Sequence, residues 1–130
     1  MKPRDDTEVA SWLAAVDEDL RIARLAIDQH PPIVGPVCFH AQQAAEKAMK
    51  ALFVAAESDV PRTHDLVALV KLLVPVFPEA ASLRESAARL APYAVSTRYP
   101  VLRAAADPQE ACDTLRLSET IVTWVLGTLT

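Results

Sequence analysis

The chain has 130 residues, 52% of them hydrophobic and 23% charged, and a net charge of −4. That is enough chain to bury one core, and it is too apolar for a disordered segment. The acidic balance argues against broad, sequence-independent binding to nucleic acid, which needs a basic field, but it leaves room for a small basic pocket.

The opening MKPRDDTEVA is charged and shows no secretory pattern, and no apolar run approaches the ~20 residues of a membrane helix. The expectation is a single domain over 1–130, cytoplasmic, with no membrane contact and no cofactor. Cys38 and Cys112 lack metal-ligand spacing and read as small buried hydrophobes. Two glycines and ten prolines, the prolines falling almost entirely between helical patterns, punctuate an all-α chain.

The first helix is predicted from about Thr7, a plausible N-cap, to Gln29. Val9, Trp12, Leu13, Val16, Leu20, Ala23 and Ile27 recur at three- and four-residue steps along it. Asp19 falls on the flank of this stripe and should pair with a neighbour. His30-Pro31-Pro32 ends the helix, because a residue before proline is pushed out of the helical region.

The second helix should span about Val37 to Glu57. Cys38, Ala41, Ala45, Ala48, Leu52 and Ala55 form its buried side, small enough for another helix to approach closely. His40, Gln43, Glu46, Lys47 and Lys50 share the opposite arc. A short third helix follows at HDLVALVKLLV, with Thr63 as its cap and Asp65 in its first turn. The fourth reads from about Glu79, with Leu83, Ala87, Leu90 and Ala91 inside, and Pro92 should kink or end it. The last begins at Asp107-Pro108, with Glu110 completing a capping-box-like pair. It carries two apolar stripes, one of Ala111, Leu115, Val122, Val125 and Leu129, the other of Leu117, Ile121 and Trp124. The second stripe faces either another helix of the domain or a second copy of the chain.

Catalytic constellations are scarce. The chain has no Gly-rich phosphate loop, no HExxH, no paired-cysteine zinc spacing and no GxSxG. Three polar segments remain. The arc of helix two is either a solvated face with a Glu46–Lys50 pair or the lining of a site. Ser96-Thr97-Arg98-Tyr99-Pro100 can offer a guanidinium to phosphate and a ring to a base, or it can clasp Arg98 to a carboxylate such as Glu46 and bury Tyr99. Thr63-His64-Asp65 is a helix start with a histidine in it.

FHAQQAAEKAMKAL, THDLVALVKLL, STRYP and a DP-started last helix, in that order, together resemble the HEPN domain, and Trp12 with Asp19-Leu20 fits as well. Within that family the chain looks closest to the branch encoded beside small nucleotidyltransferases. The resemblance implies an up-and-down bundle of four to five helices, a homodimer, and a separately encoded minimal nucleotidyltransferase as partner. It also implies binding of nucleotide or RNA, in a toxin–antitoxin or defence pair. By this likeness His40, Gln43, Glu46, Lys47, Lys50, His64, Asp65, Arg98 and Tyr99 form the nucleotide-binding set, with Lys47, Lys50 and Arg98 facing phosphate.

The ribonuclease branch of the family needs an Arg followed after four to six residues by a His. Arg98 is followed by YPVLRAA, and no histidine occurs beyond it. The family's catalytic histidine is therefore not carried over, and binding is the expectation. The alternatives are a metal-independent toxin ribonuclease with a degenerate motif, using His64 or His40 instead, and a dimeric scaffold whose polar residues only hold the bundle. Arg24 and His30 have the right spacing in RLAIDQH, but six helical steps turn their side chains apart by roughly 240°.

Overall fold

The computed structural model describes residues 6–94 and 107–130. Among them are five α-helices and no strand: α1 (Asp6–Ile27), α2 (Val34–Ala55), α3 (Leu66–Leu73), α4 (Arg84–Leu90) and α5 (Pro108–Leu129). Short 3₁₀ turns lead into α4 at Pro78–Leu83 and out of it at Ala91–Ala94. The all-α expectation is met. The segment holding Arg98 and Tyr99 lies outside the described residues.

Three helices of 22 residues, each about 33 Å long, set the frame. The middle one, α2, packs against α1 along its length and against α5, with α3 and α4 closing the remaining side. Its alanines make this possible. Ala41, Ala44, Ala45, Ala48 and Ala51 are wholly buried, and a larger side chain at such a crossing would overpack it at a cost of about 1–3 kcal/mol. Around them Val16, Leu20, Met49, Leu52, Leu66, Leu69, Leu73, Leu90, Ile121 and Val125 fill one continuous core.

Both stripes of α5 turn inward. Ala111, Leu115, Val122 and Val125 are buried, and so is Ile121 of the second stripe, with Leu117 and Trp124 packed against the core. The Ser118 hydroxyl donates to the Ala41 carbonyl and ties α5 to α2. Arg24 reaches Glu119 at 2.8 Å across the surface between α1 and α5, while His30 lies exposed beyond the end of α1.

Several boundaries move for local reasons. α1 already runs at Asp6, ahead of Thr7, whose carbonyl accepts from the Ser11 hydroxyl. α2 begins at Val34, with Pro36 in its first turn, where a missing N–H costs nothing. It ends two residues before Glu57. There the Glu57 and Ser58 N–H groups donate to the Val54 and Phe53 carbonyls (both 2.9 Å), and Glu57 takes φ 59°, a left-handed conformation usually left to glycine. α3 is capped by Asp65, whose carboxylate accepts from Val67 and Ala68, while the Thr63 hydroxyl accepts from the Asp65 N–H. Asp107 caps α5 as expected, accepting from the Glu110 N–H at 2.7 Å.

The cysteines divide. Cys38 is buried as expected, but Cys112 is exposed, because it falls one step past Ala111 on the outer side of α5. Burial pushes the Cys38 thiol up to about 11, against a lowering hydrogen bond from Thr114 and with a further rise from nearby Glu110. A thiol held that far from its thiolate is not a nucleophile at neutral pH.

Candidate functional site

The polar arc of α2 is not a wet face. Glu46 and Lys50 are buried at 3% and 6% exposure, and Gln42, one helical turn before Glu46, is wholly buried. On a helical wheel Gln42, Glu46, Lys50, Gln43, Lys47 and His40 follow one another around roughly 160° of the helix. Elements from outside α2 cover this arc, α1 at one edge and the loop before α3 at the other, so charged groups are drawn inside and must find partners there.

Each half is organised around one buried carboxylate. At the α1 edge Asp19, 5% exposed, accepts from His40 Nδ1 at 2.8 Å and from Lys47 Nζ at 2.7 Å, one oxygen for each. At the other edge Glu46 Oε2 receives Lys50 Nζ at 3.1 Å and His64 Nδ1 at 3.0 Å, while its Oε1 accepts from Gln42 Nε2 at 3.3 Å. Gln42 Nε2 also reaches the His64 carbonyl (3.4 Å), and Gln43 donates to Gln42 Oε1 (2.7 Å). Two carboxylates thus each hold one lysine and one histidine. Among the described residues no buried side-chain nitrogen or oxygen lacks a hydrogen-bond partner, which is what lets such a network persist in a core.

The network has a root and a rim. Glu46, Lys50 and Gln42 lie inside. His40 and Lys47 reach solvent with side chains 24% and 29% exposed, and His64 stands out at 73%. Every histidine in the network is bonded through Nδ1, which leaves Nε2 on the far side of the ring. Lys47 spends one of its three N–H donors on Asp19, leaving two for a ligand. The Phe39 ring meets His40 edge to face, with centroids 5.2 Å apart, and limits the turning of the imidazole.

The structure places all of the sequence-derived site residues except Arg98 and Tyr99, which lie outside the described residues. His40 and Lys47 bond to Asp19, and Gln43, Lys50 and His64 gather around Glu46 and Gln42, two clusters side by side on the α2 arc, whereas Asp65 is exposed and occupied as the cap of α3. Lys50, though expected to face phosphate, is turned into the network against Glu46. Sequence reasoning left Asp19 and Gln42 off the site. A carboxylate beside a buried stripe was the available signal for Asp19. Gln42 gave only its spacing of four from Glu46.

A separate cavity of about 540 Å³ lies between the end of α4 and the start of α5, lined in part by Arg89, Tyr93, Asp107, Glu110 and Asp113. Among the described residues that line it are three carboxylates and one guanidinium. The Tyr93 hydroxyl there is raised to about 12, first by burial and then by its hydrogen bond to Glu110. Among the described residues no group of three or more histidine, cysteine or acidic side chains is placed to hold a metal ion, and no helix is long and apolar enough to cross a membrane.

Two crystal structures share this architecture. TT1696 from Thermus thermophilus is 29% identical, with 92% of this chain and 96% of that one aligned at a TM-score of 0.77. ST0689, described as an archaeal HEPN homologue, is 26% identical over the full length of both chains, with a TM-score of 0.76. Comparison with curated proteins finds no match. The HEPN domain model matches residues 9–128, nearly the whole chain. With the helix order, the α2 arc and the THDL start of α3 in place, the chain belongs to the HEPN family.

Proposed function

We propose that this HEPN domain is a helical binding module for nucleotide or RNA that works with a separately encoded minimal nucleotidyltransferase, as a homodimer and in a toxin–antitoxin or defence pair. The observation that carries the binding half is the rim of the α2 network. His40, Lys47 and His64 project from a row of groups held rigidly by buried Asp19 and Glu46. Preorganised donors lose little freedom on binding, and a lysine ammonium with two open N–H groups is a phosphate ligand.

In this reading Lys47 meets phosphate together with Arg98. Tyr99 stacks on or bonds to the base, and Gln43 and His64 orient the remainder. Lys50 and Glu46 act from beneath: Lys50 neutralises Glu46, and Glu46 holds His64 in place. The partner and the paired-system context are supported by the family, many of whose members occur with nucleotidyltransferases. Ribonuclease activity is not part of the proposal, because no histidine follows Arg98.

Isothermal titration of the full chain with ATP, GTP and short RNAs tests this. Wild type should bind at least one of them at millimolar concentration or tighter, and Lys47→Ala or Arg98→Ala should weaken binding about tenfold or more, the worth of one charged hydrogen bond. Absence of binding by wild type, or unchanged affinity in both variants, overturns the proposal in favour of a network that only holds the bundle.

A further inference from the structure

Asp19 lies on α1, a helix that carries none of the residues assigned to the site by the family resemblance, yet it fixes two of them at once. Its oxygens take His40 Nδ1 at 2.8 Å and Lys47 Nζ at 2.7 Å, and it is 5% exposed. An ionised carboxylate only accepts hydrogen bonds, so the His40 proton is held on Nδ1. On the neutral ring Nε2 then carries a lone pair, turned away from the carboxylate. Lys47, gripped by the other oxygen of the same carboxylate, offers N–H donors alongside. Through this one carboxylate the edge joins an acceptor and a cationic donor, on side chains that are 24% and 29% exposed.

That pairing selects for a ligand with matching chemistry. A bare phosphate edge offers acceptors only and satisfies the lysine alone. A ribose carrying a phosphate on the neighbouring carbon offers a hydroxyl donor for Nε2 and an anion for the ammonium. A deoxyribose leaves Nε2 without a donor, and an unpaired polar group at a half-buried position weakens binding.

We infer that Asp19 is a positioning residue which, by fixing the His40 proton on Nδ1 and holding Lys47 beside it, makes this edge of the α2 network a reader of a ribose 2′-hydroxyl next to a phosphate. The inference rests on the nucleotide-binding reading above and deepens it, turning a general phosphate site into one that distinguishes ribose from deoxyribose.

The test compares adenosine 3′-monophosphate with its 2′-deoxy counterpart, and a short oligoadenylate RNA with the matching DNA, by titration calorimetry on the full chain. Wild type should prefer the ribose form about tenfold, the contribution of one hydrogen bond made within a charged cluster. Preference in the mononucleotide pair assigns the recognition to a single nucleotide, and preference in the oligomers alone assigns it to a strand. Asp19→Asn should bind both sugars with similar affinity, and its ¹⁵N spectrum should show His40 losing the Nδ1–H form that wild type displays. Where Asp19→Asn does not fold, His40→Phe, at a half-buried position, serves as the second variant and should abolish the same preference. A role confined to stability would lower the melting temperature and leave the ribose-to-deoxyribose ratio unchanged. Equal affinity of wild type for both sugars, or a preference retained in the variants, overturns the inference while leaving nucleotide binding intact. Failure of wild type to bind either sugar overturns both.

Discussion

Lys50→Met asks whether the root of the network is as dry as the geometry says. Lys50 Nζ sits 3.1 Å from Glu46 Oε2, with side chains 7% and 4% exposed. At an effective dielectric near 20, charges at that separation attract by about 5 kcal/mol, and this is offset by a desolvation cost of several kcal/mol for each ion. Intact, the pair contributes close to nothing net. Removing one member is different, because the other charge stays buried. Breaking such a pair costs about 3–5 kcal/mol, and Glu46 keeps Gln42 and His64 as partners, which places the expectation at the lower end, about 3 kcal/mol. The assay is urea unfolding followed by helical circular dichroism, suited to a domain of this size. The double variant Glu46→Met/Lys50→Met, which removes both charges of the pair, should be more stable than Lys50→Met alone. A cost below about 1 kcal/mol for Lys50→Met would be that of a solvated surface pair and would refute the reasoning.

Glu57→Gly should stabilise the chain by up to about 1 kcal/mol in the same assay, since Glu57 holds φ 59° at the close of α2 and glycine adopts that conformation without a Cβ penalty; a destabilised variant would show that the glutamate side chain contributes more than the backbone costs. Stability should also fall on the alkaline side. Cys38 is raised from 9.0 to about 11 and Tyr93 from 10.0 to about 12, both chiefly by burial, so the fold favours their neutral forms. That contribution is complete below pH 9 and is lost as pH climbs through 11 and 12, where the unfolded chain ionises first. Urea midpoints measured across this range should drop less steeply for Cys38→Ala and for Tyr93→Phe, and identical slopes in all three proteins would contradict the assignment.

What could be read from the chain was what is decided locally. The start of α5 is set by Asp107, Pro108 and Glu110 within one turn, and it appears where those residues place it. The end of the fourth helical region at Pro92 follows from one missing N–H and one clash, and α4 gives way to a 3₁₀ turn there. Where two local solutions compete, the sequence does not choose between them: Thr63 and Asp65 can both cap α3, and Asp65 does so because its carboxylate collects two backbone N–H groups. Burial of the α2 arc was beyond local reasoning. Periodicity shows that Glu46 and Lys50 lie on one side of a helix, but only the arrival of α1 and of His64 decides that this side is covered. The role of Asp19 was hidden for the same reason, since its partners are 21 and 28 residues further on. Cys112 is the reverse case, an apolar residue left outside because its neighbours Ala111, Thr114 and Leu115 already fill the inner side of α5.

Lys47 and Lys50 show why structural and binding roles need not compete on this helix. They lie three residues apart on one arc, and each is paired with a buried carboxylate, yet they have opposite fates. Lys50 is enclosed, so its charge is spent on Glu46, and a ligand would have to break that pair to use it. Lys47 is held by Asp19 at the rim, with exposure enough for its remaining donors to meet a ligand without leaving the carboxylate. A helix packed on all sides can carry such groups only if every buried charge is matched. The matching that keeps α2 stable therefore also determines which groups stay open and where they point. Replacing Lys50 should register in stability first. Replacing Lys47, which contributes through one exposed donor pair, should register in binding first. That ordering follows from burial alone and separates a lined site from a merely satisfied core.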